Sequence, residues 1–231
     1  MTWLIVAIAA FAGSLLAQRA KADQFGLVGR LLFYLALIIW IWSEAGEKVF
    51  AGSETGLLGW FLIGLMLFSA GEALSFLNKG LGALSLAAVA LGALSFAAGF
   101  DVLRPDDYAL VPALLLAAMV LSVAARAYVQ FSKALSKKGH TIARVALALY
   151  ALAMAVMVYA AVYKIIDRGW ALPWAYLAGG GALVFAAGQL WMGSEKLLRA
   201  KSAPAWMQMG AINLGQLMMV VAAVFVYREF L

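Results

Sequence analysis

Four polar side chains lie inside long apolar stretches of this sequence: Glu72, Gln189, Asn213 and Gln216. A charged group at the centre of a membrane helix costs roughly 2.5–3.5 kcal/mol on insertion scales, so polar residues in such places are functional candidates. The Glu72 carboxyl group can exchange a proton, whereas the three amides can only donate and accept hydrogen bonds. This combination suits proton transfer or the binding of a polar ligand inside a membrane.

The positions of the four residues predict one shared pocket. Glu72 precedes Lys79 by seven residues (79 − 72 = 7), about 10 Å of helix from the end of its apolar segment. Gln189 has the matching depth in a second segment, and Asn213 and Gln216 share one helix face. We expect the pocket to open toward the inner leaflet, with Glu72 as its only ionisable member and burial favouring the protonated carboxyl. Alternatively, the amides only join neighbouring helices, at about 0.6 kcal/mol each.

Two of these residues end copies of one sequence pattern. "GLMLFSAGE" (64–72) and "GALVFAAGQ" (181–189) match at a constant offset of 117 (181 − 64 = 117; 189 − 72 = 117). The copies fall four spans apart, so the two helices run in the same direction. This predicts a parallel four-plus-four repeat about an axis along the membrane normal. Chance similarity is the alternative, because Gly, Ala, Leu and Phe are abundant throughout the chain.

The composition predicts an all-α integral membrane protein. Of the 231 residues, 66% are hydrophobic and 12% are charged, which is too apolar for a water-soluble domain. Cysteine is absent and histidine occurs once, which excludes a Cys/His zinc site. The net charge of +6 is spread over short loops, without the basic and aromatic runs of a nucleic-acid surface. We therefore expect no nucleic-acid partner and no cofactor.

Eight apolar segments are long enough to span a bilayer, and short connections join them into one domain over 1–231. The first segment is short enough for a signal peptide, but no basic residue precedes it, so we interpret it as a helix. The predicted spans are 2–17, 27–43, 56–77, 80–100, 108–128, 142–163, 172–193 and 204–227.

Lysine and arginine set the predicted orientation. Twelve of the seventeen lie in or beside the first, third, fifth and seventh loops, which are therefore expected to be cytoplasmic, with both termini outside. We expect the membrane to be a bacterial inner (plasma) membrane. Glu44 and Glu47 are predicted to be interfacial charges at the outer end of the second span. The twelve residues are Arg19, Lys21, Arg30, Lys79, Arg126, Lys133, Lys137, Lys138, Arg144, Lys196, Arg199 and Lys201.

Four stretches after about Lys48 carry a further pattern: "FSAGEALSF", "GLGALSLAAVAL", "GALVFAAGQLWMGSEKL" and "INLGQLMM". Together with eight spans in this length, they resemble the YhhN-type lysoplasmalogenases. Glu72 stands where that family has a first Asp, and Gln189 where it has a second. Ala88 and Leu91 stand where it usually has His and Tyr. The sequence therefore resembles a divergent member, with one carboxyl group of the pair kept and the histidine lost.

The resemblance implies a membrane hydrolase that cleaves the vinyl-ether bond of a lysoplasmalogen, with a lysophospholipid or other membrane lipid as its partner. It implies catalytic roles for Glu72, as the acid, and for Gln189. Asn213 and Gln216 would bind substrate or position water. Three alternatives remain open at this point: a catalytically inactive relative that binds a lipid or small molecule, a transporter, and a subunit of a larger membrane complex.

Overall fold

Helices account for nearly all of the chain that is described. The computed structural model describes residues 1–50, 56–77, 81–100, 110–136, 141–167, 169–198 and 204–229. Within them, eight α-helices and one short 3-10 helix follow in order. They are α1 (Thr2–Arg19), α2 (Asp23–Ala45), the 3-10 helix (Gly46–Phe50), α3 (Gly56–Leu77), α4 (Gly82–Gly99), α5 (Leu110–Ser136), α6 (Thr141–Asp167), α7 (Leu172–Leu198) and α8 (Ala205–Glu229).

All eight α-helices of the described residues are long and apolar enough to cross a membrane, which confirms the predicted all-α, eight-span architecture. The starts of the later helices match the predicted positions, since Pro112 and Pro173 lie in first turns and Pro204 directly precedes α8. At the other end, α5, α6 and α7 continue beyond their predicted ends. Lysines in their last turns favour helix once the apolar run has ended, so hydropathy alone ends these helices too early.

We name the two ends of the bundle by their connections. The odd-loop end carries the α1–α2, α3–α4, α5–α6 and α7–α8 connections, and the even-loop end carries the remaining connections and both termini. Some basic residues behind the predicted orientation lie outside the described residues: Lys79, Lys137, Lys138, Arg199 and Lys201. Helices α2, α3 and α8 contact one another, and α6 packs against α4, α5 and α7.

The first copy of the repeated pattern packs α3 closely against α4. A Cβ atom added at Gly64 would lie 3.0 Å from the Gly92 carbonyl oxygen, and one added at Gly92 would lie 3.1 Å from the Gly64 oxygen and from the Phe68 ring. One added at Gly71 would lie 2.7 Å from Val89. The absence of side chains at these positions lets the two backbones approach.

The second copy packs α7 against α8 in the same way. A Cβ atom at Gly181 would lie 2.7 Å from the Gly215 oxygen, and one at Gly215 would lie 2.5 Å from the Gly181 oxygen and close to Phe185. One added at Gly188 would lie 2.8 Å from Ile212. Gly215 therefore corresponds to Gly92, although the intervals differ (215 − 181 = 34 and 92 − 64 = 28).

The two copies meet through their phenylalanines. The ring centroids of Phe68 and Phe185, which are separated by the repeat offset of 117, lie 5.4 Å apart in an edge-on arrangement. Equivalent helix pairs that join at equivalent side chains support the predicted parallel repeat.

Large apolar side chains cover the outward face of the bundle. Helix α5 is the least enclosed of the eight, and exposes Val111, Leu114, Leu115 and Met119. A water-soluble protein would not leave such a continuous apolar face uncovered, whereas lipid chains cover it in a membrane. This exposure agrees with an integral membrane protein.

Candidate functional site

Glu72 forms an ion pair inside the helix bundle. Its Oε2 atom lies 3.4 Å from Nη1 of Arg30 on α2, and the two side chains are 14% and 11% exposed. The expectation that Glu72 is the only ionisable group of the cluster is therefore wrong. A cation from a neighbouring helix therefore lies beside the Glu72 carboxyl group.

Arg30 lies deeper inside α2 than the predicted span indicated, because the helix begins earlier than predicted. The helix starts at Asp23, so Arg30 lies seven residues inside it (30 − 23 = 7), about 10 Å from the first residue. Glu72 lies five residues before the last residue of α3 (77 − 72 = 5), about 8 Å from it. At the odd-loop end, Arg30 thus lies about two turns inside its helix and Glu72 about one and a half turns inside its own.

The Arg30 guanidinium has few other partners. Its Nη1 lies 3.1 Å from Sδ of Met209 on α8, and a thioether is a weak acceptor. Its Nε atom is buried and makes no hydrogen bond within the described residues. Arg30 therefore has N–H donors that form no hydrogen bond within the described residues.

Asn213 and Gln216 of α8 are fully buried, as their shared face predicted, with no exposed surface. Both polar atoms of each amide lack a hydrogen-bond partner among the described residues. A buried polar group left unpaired costs about 1–3 kcal/mol. Interhelical hydrogen bonding alone does not account for these amides, because within the described residues they form no hydrogen bond of normal geometry with another helix.

Tyr34 completes the cluster from α2. It is 1% exposed, and its hydroxyl lies near the Gln216 side chain, without a hydrogen bond of normal geometry, and near the charges of Glu72 and Arg30. Tyr34 and Gln216 each lie eleven residues inside their helices (34 − 23 = 11; 216 − 205 = 11), about 16 Å from the first residue. The polar residues thus form a column that reaches the middle of the bundle.

Gln189 does not join this cluster by hydrogen bonding. It is partly buried on α7, and within the described residues no hydrogen bond to its side chain is present. It lies one turn beyond Phe185, as Glu72 lies one turn beyond Phe68, so the repeat equates the two positions. Glu72 nevertheless pairs with Arg30 of α2. On α7, the side chain that forms a polar contact is Glu195, six residues after Gln189, which accepts a 2.5 Å hydrogen bond from Gln208 of α8.

A surface groove lies at the odd-loop end of α2 and α3. It has a volume of about 460 Å³ and is lined by Lys21, Ala22, Gln24, Phe25 and Phe76. Phe76 lies one turn beyond Glu72 on α3. A second groove, of about 290 Å³, has an apolar lining from α1 and α2. Neither groove reaches Glu72, Asn213 or Gln216, so the described grooves do not include the open pocket predicted around these residues.

A second inter-helical ion pair lies at the even-loop end of α2. Glu44 accepts hydrogen bonds from Nη2 and Nε of Arg228 at 2.6 and 3.0 Å, and from Nε1 of Trp40 at 3.0 Å. The prediction of an interfacial charge fits Glu47, which is exposed, but Glu44 is 17% exposed and joins α2 to α8.

Arg30 and Tyr34 are the two site residues that the sequence reasoning did not identify. Arg30 lies within the predicted span 27–43, but it was counted with the basic residues of the first loop as a helix-end charge. The usable signal was its surroundings, "LVGRLLFYLALI", in which apolar residues flank the arginine on both sides and Tyr34 follows at one-turn spacing.

Comparisons with known proteins find no match to this chain among protein-family models, curated proteins or solved structures. The resemblance to the YhhN-type lysoplasmalogenases stays a prediction.

Proposed function

We propose that this protein is a lysoplasmalogenase-like membrane hydrolase that cleaves the vinyl-ether bond of a single-chain ether phospholipid. The observation that carries the proposal is that the Glu72–Arg30 pair and the buried amide of Gln216 both lie near Tyr34, where α2, α3 and α8 contact one another. Vinyl-ether hydrolysis requires a proton donor and a positioned water, and this cluster offers groups for both tasks.

In the proposed reaction, the Glu72 carboxyl transfers its proton to the β carbon of the vinyl ether. The double-bond electrons form the new C–H bond, and the adjacent carbon becomes an oxocarbenium ion. Water adds to that carbon and loses a proton to the Glu72 carboxylate, which restores the acid. The resulting hemiacetal breaks its bond to the glycerol oxygen, which takes the hydroxyl proton, and a fatty aldehyde and a glycerophospho-alcohol leave.

The amides would position the reacting water. Asn213 and Gln216 have donors and acceptors free within the described residues, and the Tyr34 hydroxyl lies beside Gln216. Water that fills such a site makes about three hydrogen bonds to buried polar groups. We propose that Gln189 orients the water or the substrate. It does not transfer a proton, because an amide cannot do so as a second carboxylic acid would.

A specific observation favours a second candidate function, transport. The α3–α4 and α7–α8 pairs are built alike and meet through Phe68 and Phe185, as in carriers whose two halves rock against each other. Such a protein would move a lipid or small molecule without cleaving it.

The deciding experiment is aldehyde release from lysoplasmenyl-ethanolamine and lysoplasmenyl-choline by the purified protein in lipid nanodiscs. We expect release by the wild type and by Glu47→Gln, whose carboxyl is exposed. We expect at least an about 100-fold loss in Glu72→Gln, the usual scale for removal of a general acid.

Two results would overturn the hydrolase. One is the absence of aldehyde from folded wild-type protein under conditions in which a positive-control hydrolase works. The other is unchanged turnover in Glu72→Gln. Movement of intact substrate between vesicle leaflets without cleavage would establish the transporter instead.

A further inference from the structure

The Arg30 guanidinium uses only a small part of its hydrogen-bonding capacity. It has five N–H donors, yet its described partners are a carboxylate oxygen at 3.4 Å and a thioether sulfur at 3.1 Å. Charge-assisted N–H···O bonds are normally about 2.7–2.9 Å long, so the Glu72 contact is loose. The buried Nε atom has no partner within the described residues.

Arg228 shows what a saturated arginine looks like in the same protein. Its Nε and Nη2 atoms bind the two oxygens of Glu44 as a fork, at 3.0 and 2.6 Å. The Arg228 side chain is also 33% exposed, so water can reach it, whereas Arg30 is 11% exposed. The better-buried guanidinium is thus the one with fewer bonds, which is the reverse of what a structural role requires.

We propose that Arg30 binds the phosphate group of the single-chain phospholipid substrate, and that the phosphate displaces Glu72 from Arg30. A phosphate presents several oxygens to the planar donors of an arginine and so matches the unused Nε and Nη atoms. The inference deepens the proposed function and rests on it. It adds the group that recognises the substrate and the event that frees the Glu72 carboxyl from its cation.

The groove at the odd-loop end of the same two helices has chemistry that matches such a lipid. Lys21 gives it a positive charge at the odd-loop end, and Phe25 and Phe76 give it an apolar wall. Phe25 lies five residues before Arg30 on α2, and Phe76 lies one turn beyond Glu72 on α3. A molecule with an anionic head and one alkyl chain fits this combination better than a free anion does.

The test uses lipids that cannot be hydrolysed at a vinyl ether, so that binding is separated from turnover. Full-length protein in detergent is titrated with acyl lysophosphatidylethanolamine, with monoacylglycerol, which lacks the phosphate, and with inorganic phosphate. The variants are Arg30→Met, Arg30→Lys and Glu72→Gln. The matched control is Arg19→Met, which removes an exposed charge at the same end of the bundle.

We expect the wild type to bind the lysophospholipid about 10–100-fold more tightly than monoacylglycerol, the range for hydrogen bonds to a charged group. Arg30→Met should abolish this preference, so that the two lipids bind about equally, and Arg30→Lys should keep part of it. Arg19→Met should leave the preference unchanged. Glu72→Gln should tighten lysophospholipid binding by about threefold or more, because the competing carboxylate is gone. A purely structural arginine would not produce this gain.

The inference is overturned by an unchanged preference in Arg30→Met or by weaker lysophospholipid binding in Glu72→Gln. If Arg30→Met does not fold, Arg30→Lys and Glu72→Gln decide in the same way. Displacement of the lipid by millimolar inorganic phosphate would show a free-anion site and overturn the lipid assignment. Phosphate-dependent binding without aldehyde release in the earlier assay would refute the hydrolase while leaving Arg30 as a phosphate-binding residue.

Discussion

Helix α2 carries an ion pair near each of its ends, and the two pairs are built differently. At the even-loop end, Glu44 receives three hydrogen bonds, two from Arg228 and one from Trp40. At the odd-loop end, Arg30 approaches Glu72 through a single 3.4 Å contact. The same helix thus holds one charge that is fully bonded and one that is not.

The difference distinguishes a structural ion pair, Glu44–Arg228, from a candidate binding site at Arg30. The Glu44 carboxylate is satisfied within the protein, which is the condition for a buried charge to contribute to stability. The Arg30 Nε atom and the amide atoms of Asn213 and Gln216 on the contacting helix α8 have no hydrogen-bond partner within the described residues. Bonds that a fold leaves unmade in its interior are available to water or to a ligand.

The largest expected effect is on turnover, and only the ion pair at the odd-loop end of α2 should show it. Glu72→Gln should reduce aldehyde release by at least about 100-fold, while Glu44→Gln should retain the wild-type rate per folded molecule. The measurement is initial rate normalised to the monodisperse fraction from size-exclusion chromatography. Equal losses in both variants would mean that the two pairs do not differ in function.

Stability should show the opposite ranking. Glu44→Gln should lower the free energy of unfolding by about 2 kcal/mol, because it removes charge-assisted hydrogen bonds to Arg228. Glu72→Gln should cost under about 1 kcal/mol, because only a long contact is lost. Unfolding by denaturing detergent in mixed micelles measures both, with Glu47→Gln as the control. A larger loss of unfolding free energy in Glu72→Gln than in Glu44→Gln would identify the Glu72–Arg30 pair as the structural one.

Double-mutant cycles sharpen the comparison by isolating each pair. Glu44→Gln with Arg228→Met should give a coupling energy of about 1–2 kcal/mol, and Glu72→Gln with Arg30→Met one below about 0.5 kcal/mol. The coupling is computed from unfolding free energies of the single and double variants. Similar values at both ends would contradict the distinction drawn from bond lengths.

The smallest expected effect concerns the stability of an amide variant. Asn213→Leu should change the free energy of unfolding by less than about 1 kcal/mol, since an apolar group of similar size replaces unsatisfied atoms. The same change should weaken binding of acyl lysophosphatidylethanolamine several-fold, measured by the titration described above. A loss of several kcal/mol in stability would show that Asn213 makes structural hydrogen bonds.

The repeat contributed differently to the fold and to the site. The matching glycines Gly64 and Gly181 could be recognised from the sequence, and both bring helices together. The residues that end the two copies did not behave alike, because Glu72 met a cation on α2 while Gln189 makes no hydrogen bond within the described residues. Sequence equivalence fixes depth along a helix, but it does not fix which neighbours a side chain meets.

The sequence by itself determined the number of spans, most of their starts and the positions of the small residues in the repeated pattern. These features depend on hydropathy, proline and residue size, which act locally along one helix. Only the tertiary structure decided that Arg30 and Tyr34 lie beside Glu72, and that the buried amides of Asn213 and Gln216 find no hydrogen-bond partner among the described residues. Those contacts depend on how each helix is rotated toward its neighbours, and that rotation is set by packing among helices far apart in the chain.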